Sequence, residues 1–259
     1  MIKTSALILA ASLCTGIAAF AQSPFDGTWK TNMAQTKFSP KPNVFYISQG
    51  WYHCVSCNPA FDAKADGTDQ AVTGQTYDTI SVKEVDPNSI AVTTKKGGKV
   101  VSEQTRAVSA DGKTLTVKTT AHPMNSDQTV TATATGKRTG VKPSGVHATS
   151  GEWQIVKAEE SENGLTTTFK TTGDALTMST PTGETFTAKL DGSDAPVTGA
   201  YGFDTVSLKK INDHTIEETD KRNGNVVEVS TMTVSGKTMK VTADNKVTGR
   251  TTTYTATKQ

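Results

Sequence analysis

After the first 21 residues, apolar and polar positions alternate in short runs, and threonine often fills every second place. The run Thr129-Val130-Thr131-Ala132-Thr133-Ala134-Thr135 is the plainest case. Successive side chains on a strand face opposite sides and β-branched residues suit the pleat, so this period predicts strands. Turn pairs cut the runs: Gly97-Gly98 and Asp111-Gly112 in the first half, Asn163-Gly164, Asn223-Gly224 and Ser235-Gly236 in the second. Asn-Gly suits a two-residue hairpin because both central residues must accept positive φ. No helical spacing of apolar residues occurs, including between Trp29 and Asn43 or between Trp153 and Asn163. The pattern predicts an all-β chain of eight or nine strands per half, joined by tight turns into antiparallel meanders.

The two halves are repeats of each other. Gly27 and Trp29 in FDGTWK pair with Gly151 and Trp153 in SGEWQ, and DGTDQAVTGQTYDTISVK from Asp66 parallels DGSDAPVTGAYGFDTVSLK from Asp191. KKGGKVV from Lys95 matches KRNGNVV from Lys221, at an offset suited to a duplicated domain and too long for a solenoid repeat. The predicted organisation is a leader over residues 1–21, one module over 22–138, a linker over 139–146 and a second module over 147–259. Alternation assigns Ile80, Val82, Leu115 and Val117 to the core of the first module, and Val206, Leu208, Met239 and Val241 to that of the second. A meander of this length removes its exposed edges most completely by closing, and such a barrel encloses packed side chains or one small ligand.

Composition adds a compartment. The opening MIKTSALILAASLCTGIAAFAQ carries Lys3, an apolar run from Ala6 to Leu13, and Ala19 and Ala21 framing a cleavage site, which predicts export to the periplasm or beyond with Cys14 removed. No later apolar run is long enough to span a bilayer. The 27 basic and 25 acidic residues are nearly balanced and scattered. Neither nucleic acid nor membrane insertion is expected as a partner. Threonine, at 46 positions, is the commonest residue.

At FDGTWK and GEW the chain resembles the calycin superfamily, whose lipocalins and fatty-acid-binding proteins open their first strand with Gly-x-Trp. DGKTLTV and the ending VTGRTTTYTATK are similar to the last strands of fatty-acid-binding proteins. The chain also resembles a group of uncharacterised exported bacterial proteins sharing DGTDxxVTG and YDT. The calycin resemblance implies two up-and-down barrels, each with a tryptophan (Trp29, Trp153) plugging one end beside its glycine (Gly27, Gly151), and an internal site for an apolar or amphipathic molecule. In those families an arginine on the final strand packs on the tryptophan or meets a ligand carboxylate. The matching residue is Arg250, with Tyr254 on the same face, and stacking of Arg250 on Trp153 is the preferred reading. Gln128 falls opposite Arg250 in the first module.

WYHCVSCNP contains the two cysteines that remain after the leader. The repeat aligns Cys54-Val55-Ser56-Cys57 with the hairpin tip Ser179-Thr180-Pro181-Thr182, so a disulfide across a turn is the leading expectation. Thioredoxin-like chemistry needs a helix N-terminus that is not in evidence here, and haem attachment needs the histidine after the pair. Zinc could take His53, Cys54 and Cys57 but lacks a fourth ligand, and His53 and Cys54 would point to opposite faces. No metal and no cofactor is expected. Tyr46, Trp51 and Tyr52 crowd this run and are candidate ligand contacts at a barrel rim, as Arg250 and Tyr254 are at the far strand.

No catalytic residue is predicted. Asp66 and Asp191 read as Asp-Gly turns, and Asp78 and Asp204 as strand-start caps or inter-strand contacts. Glu159, Glu160 and Glu162 read as a solvated cluster, and His122, His147 and His214 have no nucleophile near them in sequence. A non-enzymatic binding protein for an apolar or amphipathic molecule leads. A structural or interaction protein with filled barrels is the alternative, and a metal or redox site at His53, Cys54 and Cys57 follows below it.

Overall fold

The computed structural model describes residues 23–259, so the expected leader and Cys14 lie outside the described residues. The first repeat forms β1 (Gly27–Lys37), β2 (Asn43–Ser48), β3 (Trp51–Cys54), β4 (Phe61–Lys64), β5 (Asp66–Ala71), β6 (Thr79–Asp86), β7 (Ser89–Lys96), β8 (Lys99–Val108), β9 (Thr114–Ala121) and β10 (Val130–Arg138). The second forms β11 (Gly151–Glu160), β12 (Thr166–Thr172), β13 (Ala175–Ser179), β14 (Thr185–Lys189), β15 (Asp191–Thr198), β16 (Thr205–Asn212), β17 (Thr215–Arg222), β18 (Asn225–Ser235), β19 (Thr238–Asn245) and β20 (Arg250–Lys258). One helical turn, α1 (Glu162–Leu165), follows β11 where no helix was expected.

Each repeat has ten strands rather than eight or nine. The undercount has a local cause. Only Ala65 separates β4 from β5 and only Leu190 separates β14 from β15, and the ladder shifts between Asp66 and Asp69 and between Asp191 and Asp194. Asp66 and Asp191 each accept the backbone N–H two residues on, at 2.9 Å. The Asp-Gly turn thus bends one alternating run into two strands.

The two sheets do not follow the repeat boundary. β2 to β11 form one ten-stranded sheet, here the first barrel, while β12 to β20 close into a second barrel only with β1. β11 stays beside β10 and also pairs with β2. β1 fills the remaining place, between β12 and β20. Consecutive antiparallel strands pair most readily, so β11 completes the sheet it follows and leaves the last strand to recruit the first. Each repeat therefore lends its opening strand to the other repeat's barrel. The second barrel is closed, with β14 meeting β15 at Thr185 and Phe186, whereas the first has its free ends at β4 and β5.

All of the expected core residues are inward. Ile80, Val82, Leu115, Val206, Leu208, Met239 and Val241 are buried, and Val117 packs against the first core. The exchange moves the plugs as well: Trp153 lies in the core of the first barrel and Trp29 in that of the second. Both are fully buried, and each indole N–H donates to the carbonyl four residues earlier, Phe25 at 2.7 Å and Thr149 at 2.8 Å.

The glycine of Gly-x-Trp has a steric reason. Gly27 and Gly151 have φ of 121° and 130°, and a Cβ on Gly27 would lie 2.6 Å from Cε of Lys258, while one on Gly151 would strike Nη1 of Arg138. Those side chains are the cations over the indoles: Arg138 at 4.0 Å from the Trp153 ring and Lys258 at 5.4 Å from the Trp29 ring. The glycine clears space for a cation to reach the plug.

Candidate functional site

The open ends of the two barrels share one cavity of about 720 Å³, lined by residues of both. Its rim on one side is the Cys54–Cys57 turn, and on the other the segments around Tyr201 and Val247. Hydrogen bonds join the mouths: Asn58 Nδ2 donates to the Val247 carbonyl at 2.7 Å, and Lys41 Nζ to the Thr248 carbonyl at 2.6 Å. A space of this size lies in the range of small-molecule sites.

Within the first barrel the cavity is aromatic and cationic. Arg106 stands on β8 directly across from the buried Ile90 of β7, so alternation turns it inward. Its guanidinium lies 5.1 Å from the Phe45 ring centroid and 5.9 Å from that of Tyr52. Nη1 donates to the Tyr52 hydroxyl at 3.1 Å, while Nε and Nη2 donate to Gln104 Oε1 at 3.1 and 2.8 Å. A guanidinium has five N–H donors, so these contacts orient it and leave donors free. Among the described residues Arg106 is in no ion pair. Tyr77 also lines the cavity, and burial pushes its hydroxyl up to about 12, with the neighbouring Tyr52 adding to the shift and Arg106 opposing it.

The second barrel has the opposite interior. Across β17 and β18, Glu218 faces Ser230 and Asp220 faces Glu228. Ionised carboxylates directly opposed at about 5 Å would repel by roughly 3 kcal/mol at an effective dielectric near 20. Burial, then the charge of Asp220, Glu184 and Glu228, pushes the Glu218 carboxyl well up. Burial, then Glu228 and Glu184, pushes Asp220 up to about 7.

The rim aromatics named from the sequence divide by alternation. Tyr52 is buried, lines the cavity and stacks near Phe45 at 5.7 Å and Phe61 at 6.3 Å. Trp51 is 42% exposed and pairs with Ser48 and Lys64, and Tyr46 pairs with His53, so both occupy the outer face. The structure thus separates Tyr52 from Trp51 and Tyr46. Tyr254 faces inward in the second barrel, where burial pushes its hydroxyl up ahead of the charges of Glu218, Glu228 and Asp220.

Arg250 does not stack on Trp153. It lines the shared cavity and donates from Nη2 to the Pro42 carbonyl at 2.7 Å, tying down the crossover between β1 and β2. Two things explain the difference: strand exchange puts Trp153 in the barrel of β10, where Arg138 reaches it, and Arg250 opens its strand, whose plug-end place equivalent to Arg138 is held by Lys258 over Trp29. The ladders also place Val130, not Gln128, opposite Arg250, since Val130 pairs with Ala121 as Arg250 pairs with Asn245.

Cys54 and Cys57 form a disulfide with their Cα atoms 5.4 Å apart. Cys54 is buried, while His53 takes the outer face and its Nδ1 lies 2.7 Å from Asp62 Oδ1. The sulfurs are thereby committed to each other. Asp78 and Asp204 cap the facing hairpins, accepting from the backbone N–H of Gly97 at 2.7 Å and Asn223 at 2.8 Å. Sequence reading missed Arg106, Gln104, Tyr77 and the interior acids. The repeat alignment held the signal, since it sets Arg106 against Met232 and Val92 against Glu218. The chain matches no protein-family model and no curated protein.

Proposed function

We propose that the chain is an exported, non-enzymatic protein that binds a small amphipathic molecule in the cavity shared by its barrels, with an anionic head at Arg106. The reading rests on Arg106 itself: an inward guanidinium, held by Tyr52 and Gln104, with no carboxylate paired to it among the described residues. A guanidinium turned into a cavity with N–H donors unspent offers charge-assisted hydrogen bonds to an anionic group. Phe45, Ile80, Leu115, Val117 and Ile155 offer an apolar wall for the rest of that ligand. The lipocalin-like resemblance agrees with this reading. A barrel filled with side chains fits poorly with a cavity of about 720 Å³.

Titration with a fluorescent fatty-acid analogue and its methyl ester tests the proposal. Saturable uptake near one molecule per chain is expected, tighter for the acid than for the ester, with the acid's advantage lost in Arg106→Met. Absence of saturable uptake of either probe would remove the proposal, and equal affinity for both would remove the role of Arg106.

A further inference from the structure

The second barrel gathers four carboxylic acids around one end of the cavity. Glu218 and Asp220 stand on β17, Glu228 on β18, and Glu184 just before β14. Glu184, Glu218 and Glu228 line a smaller space of about 180 Å³ that ends at Trp29 and is bordered by Tyr254. Glu228 and Asp220 also line the shared cavity, so the two spaces meet at Glu228. Among the described residues none of the four acids is in an ion pair.

A second observation points to a ligand. Asp220 is only 5% exposed, and its Oδ1 has no hydrogen-bond partner among the described residues. Buried carboxylate oxygens are ordinarily satisfied, because an unmet one carries its full desolvation cost. The fold does not require acids here, since Val92, Thr94 and Ser102 occupy the matching places of the first barrel.

We propose that this acidic end is a binding site for a primary ammonium group carried by a small amphipathic amine or diamine. An alkylammonium has three N–H donors, and Glu218, Asp220 and Glu228 supply acceptors on two adjacent strands. Its alkyl part would run past Tyr254 and Met232 or back into the shared cavity. A divalent metal suits the place less, since among the described residues no group of three or more His, Cys, Asp or Glu is set to hold one. The inference goes beyond the role given to Arg106 and shares only the cavity with it.

Calorimetric titration of the intact chain at pH 8 with n-hexylammonium chloride and with n-hexanol provides the test. The ammonium should bind saturably and at least tenfold more tightly than the alcohol, and the doubly substituted Glu218→Gln, Asp220→Asn protein should lose at least tenfold of that affinity. Equal weak binding of amine and alcohol would overturn the proposal, and so would undiminished ammonium binding by a folded double variant. Displacement of the bound ammonium by micromolar calcium would also overturn it, by assigning the acids to a metal. If the double variant fails to fold, the wild-type comparison of amine with alcohol decides alone. No acid probe enters the experiment, so its outcome stands whether or not the fatty-acid analogue is taken up.

Discussion

On β7 and β8 the first barrel turns Ile90, Val92, Thr94, Ser102, Gln104 and Arg106 inward, while on β17 and β18 the second turns in Ile216, Glu218, Asp220, Glu228, Ser230 and Met232. The ladders are the same, and only the isoleucine is kept. Both interiors are aromatic, but one carries a cation and the other a cluster of acids. Strand alternation and turn chemistry thus specify the barrel and leave the innermost polar positions open to diverge. The exchanged strands make the comparison interdependent, because the plug of each barrel is encoded in the opposite repeat.

The largest effects are expected at those plugs. Trp29→Ala and Trp153→Ala should each cost about 3–5 kcal/mol, the usual range for removing a buried large aromatic. The informative part is where protection is lost. Hydrogen exchange should accelerate first across β12 to β20 in Trp29→Ala and across β2 to β11 in Trp153→Ala. The reverse assignment, with Trp29→Ala loosening the first barrel alone, would contradict the strand exchange.

Next in size are the two polar ends. Arg106→Met places in the first barrel the residue of the second, and should weaken an anionic amphipath by tenfold or more. Tenfold corresponds to about 1.4 kcal/mol, modest for a charge-assisted contact. Fluorescence titration reads it directly. Unaltered affinity would mean that the cation serves the fold through Tyr52 and Gln104 rather than a ligand.

The reach of sequence reading follows the same division. Strands, repeat, inward apolar positions and the disulfide turn were legible because period two, turn pairs and an alignable duplication are local signals. The strand exchange was not, since nothing in an alternating strand names its neighbour; pairing depends on which edge is left free once β11 has joined β10. That gap, together with a final-strand register that put Arg250 where Lys258 stands, assigned Arg250 to Trp153 when the partner is Arg138. The polar interior was overlooked because a lone Arg106 or Glu218 in an alternating run resembles a solvent-facing residue. Only its phase against Ile90 or Ile216 shows otherwise.

The acids also give the ligand-free protein a signed dependence on pH. The Asp220 carboxyl rises from the usual 3.8 to about 7 on folding, chiefly through burial, so the folded state holds its proton more tightly than the unfolded chain. Stability should therefore increase as pH falls from 8 towards 5, and decrease again as it rises through about 7. Asp66, Asp78, Asp86, Asp191 and Asp204 shift the other way, below 3.8, mainly through hydrogen bonds from neighbouring side chains or backbone N–H groups. Their stabilisation is lost only at lower pH, outside this window. Thermal melts of wild type and Asp220→Asn across pH 5–8 should converge at the acid end and separate at the basic end, with the variant the more stable there. Parallel curves would show that Asp220 does not titrate between the two states.

The smallest effect is expected at the rim, where the barrels differ by one covalent bond. In the second barrel the turn after β13 holds itself by hydrogen bonds: Thr180 Oγ1 accepts from the Glu184 N–H at 3.2 Å, and the Thr180 N–H donates to the Glu184 carbonyl at 3.0 Å. The corresponding turn of the first barrel anchors to β2 instead, with the Val55 and Ser56 N–H groups both donating to the Val44 carbonyl at 3.1 Å, and adds the Cys54–Cys57 bridge. A bridge over so short a loop constrains the unfolded chain little, so Cys54→Ser with Cys57→Ser should cost no more than about 2 kcal/mol. Proteolysis and hydrogen exchange should find the change confined to residues 55–60. A cost of about 4 kcal/mol or more, with lost protection along β6 to β9, would instead mean that this turn organises the first barrel, whose ends at β4 and β5 have no ladder to join them.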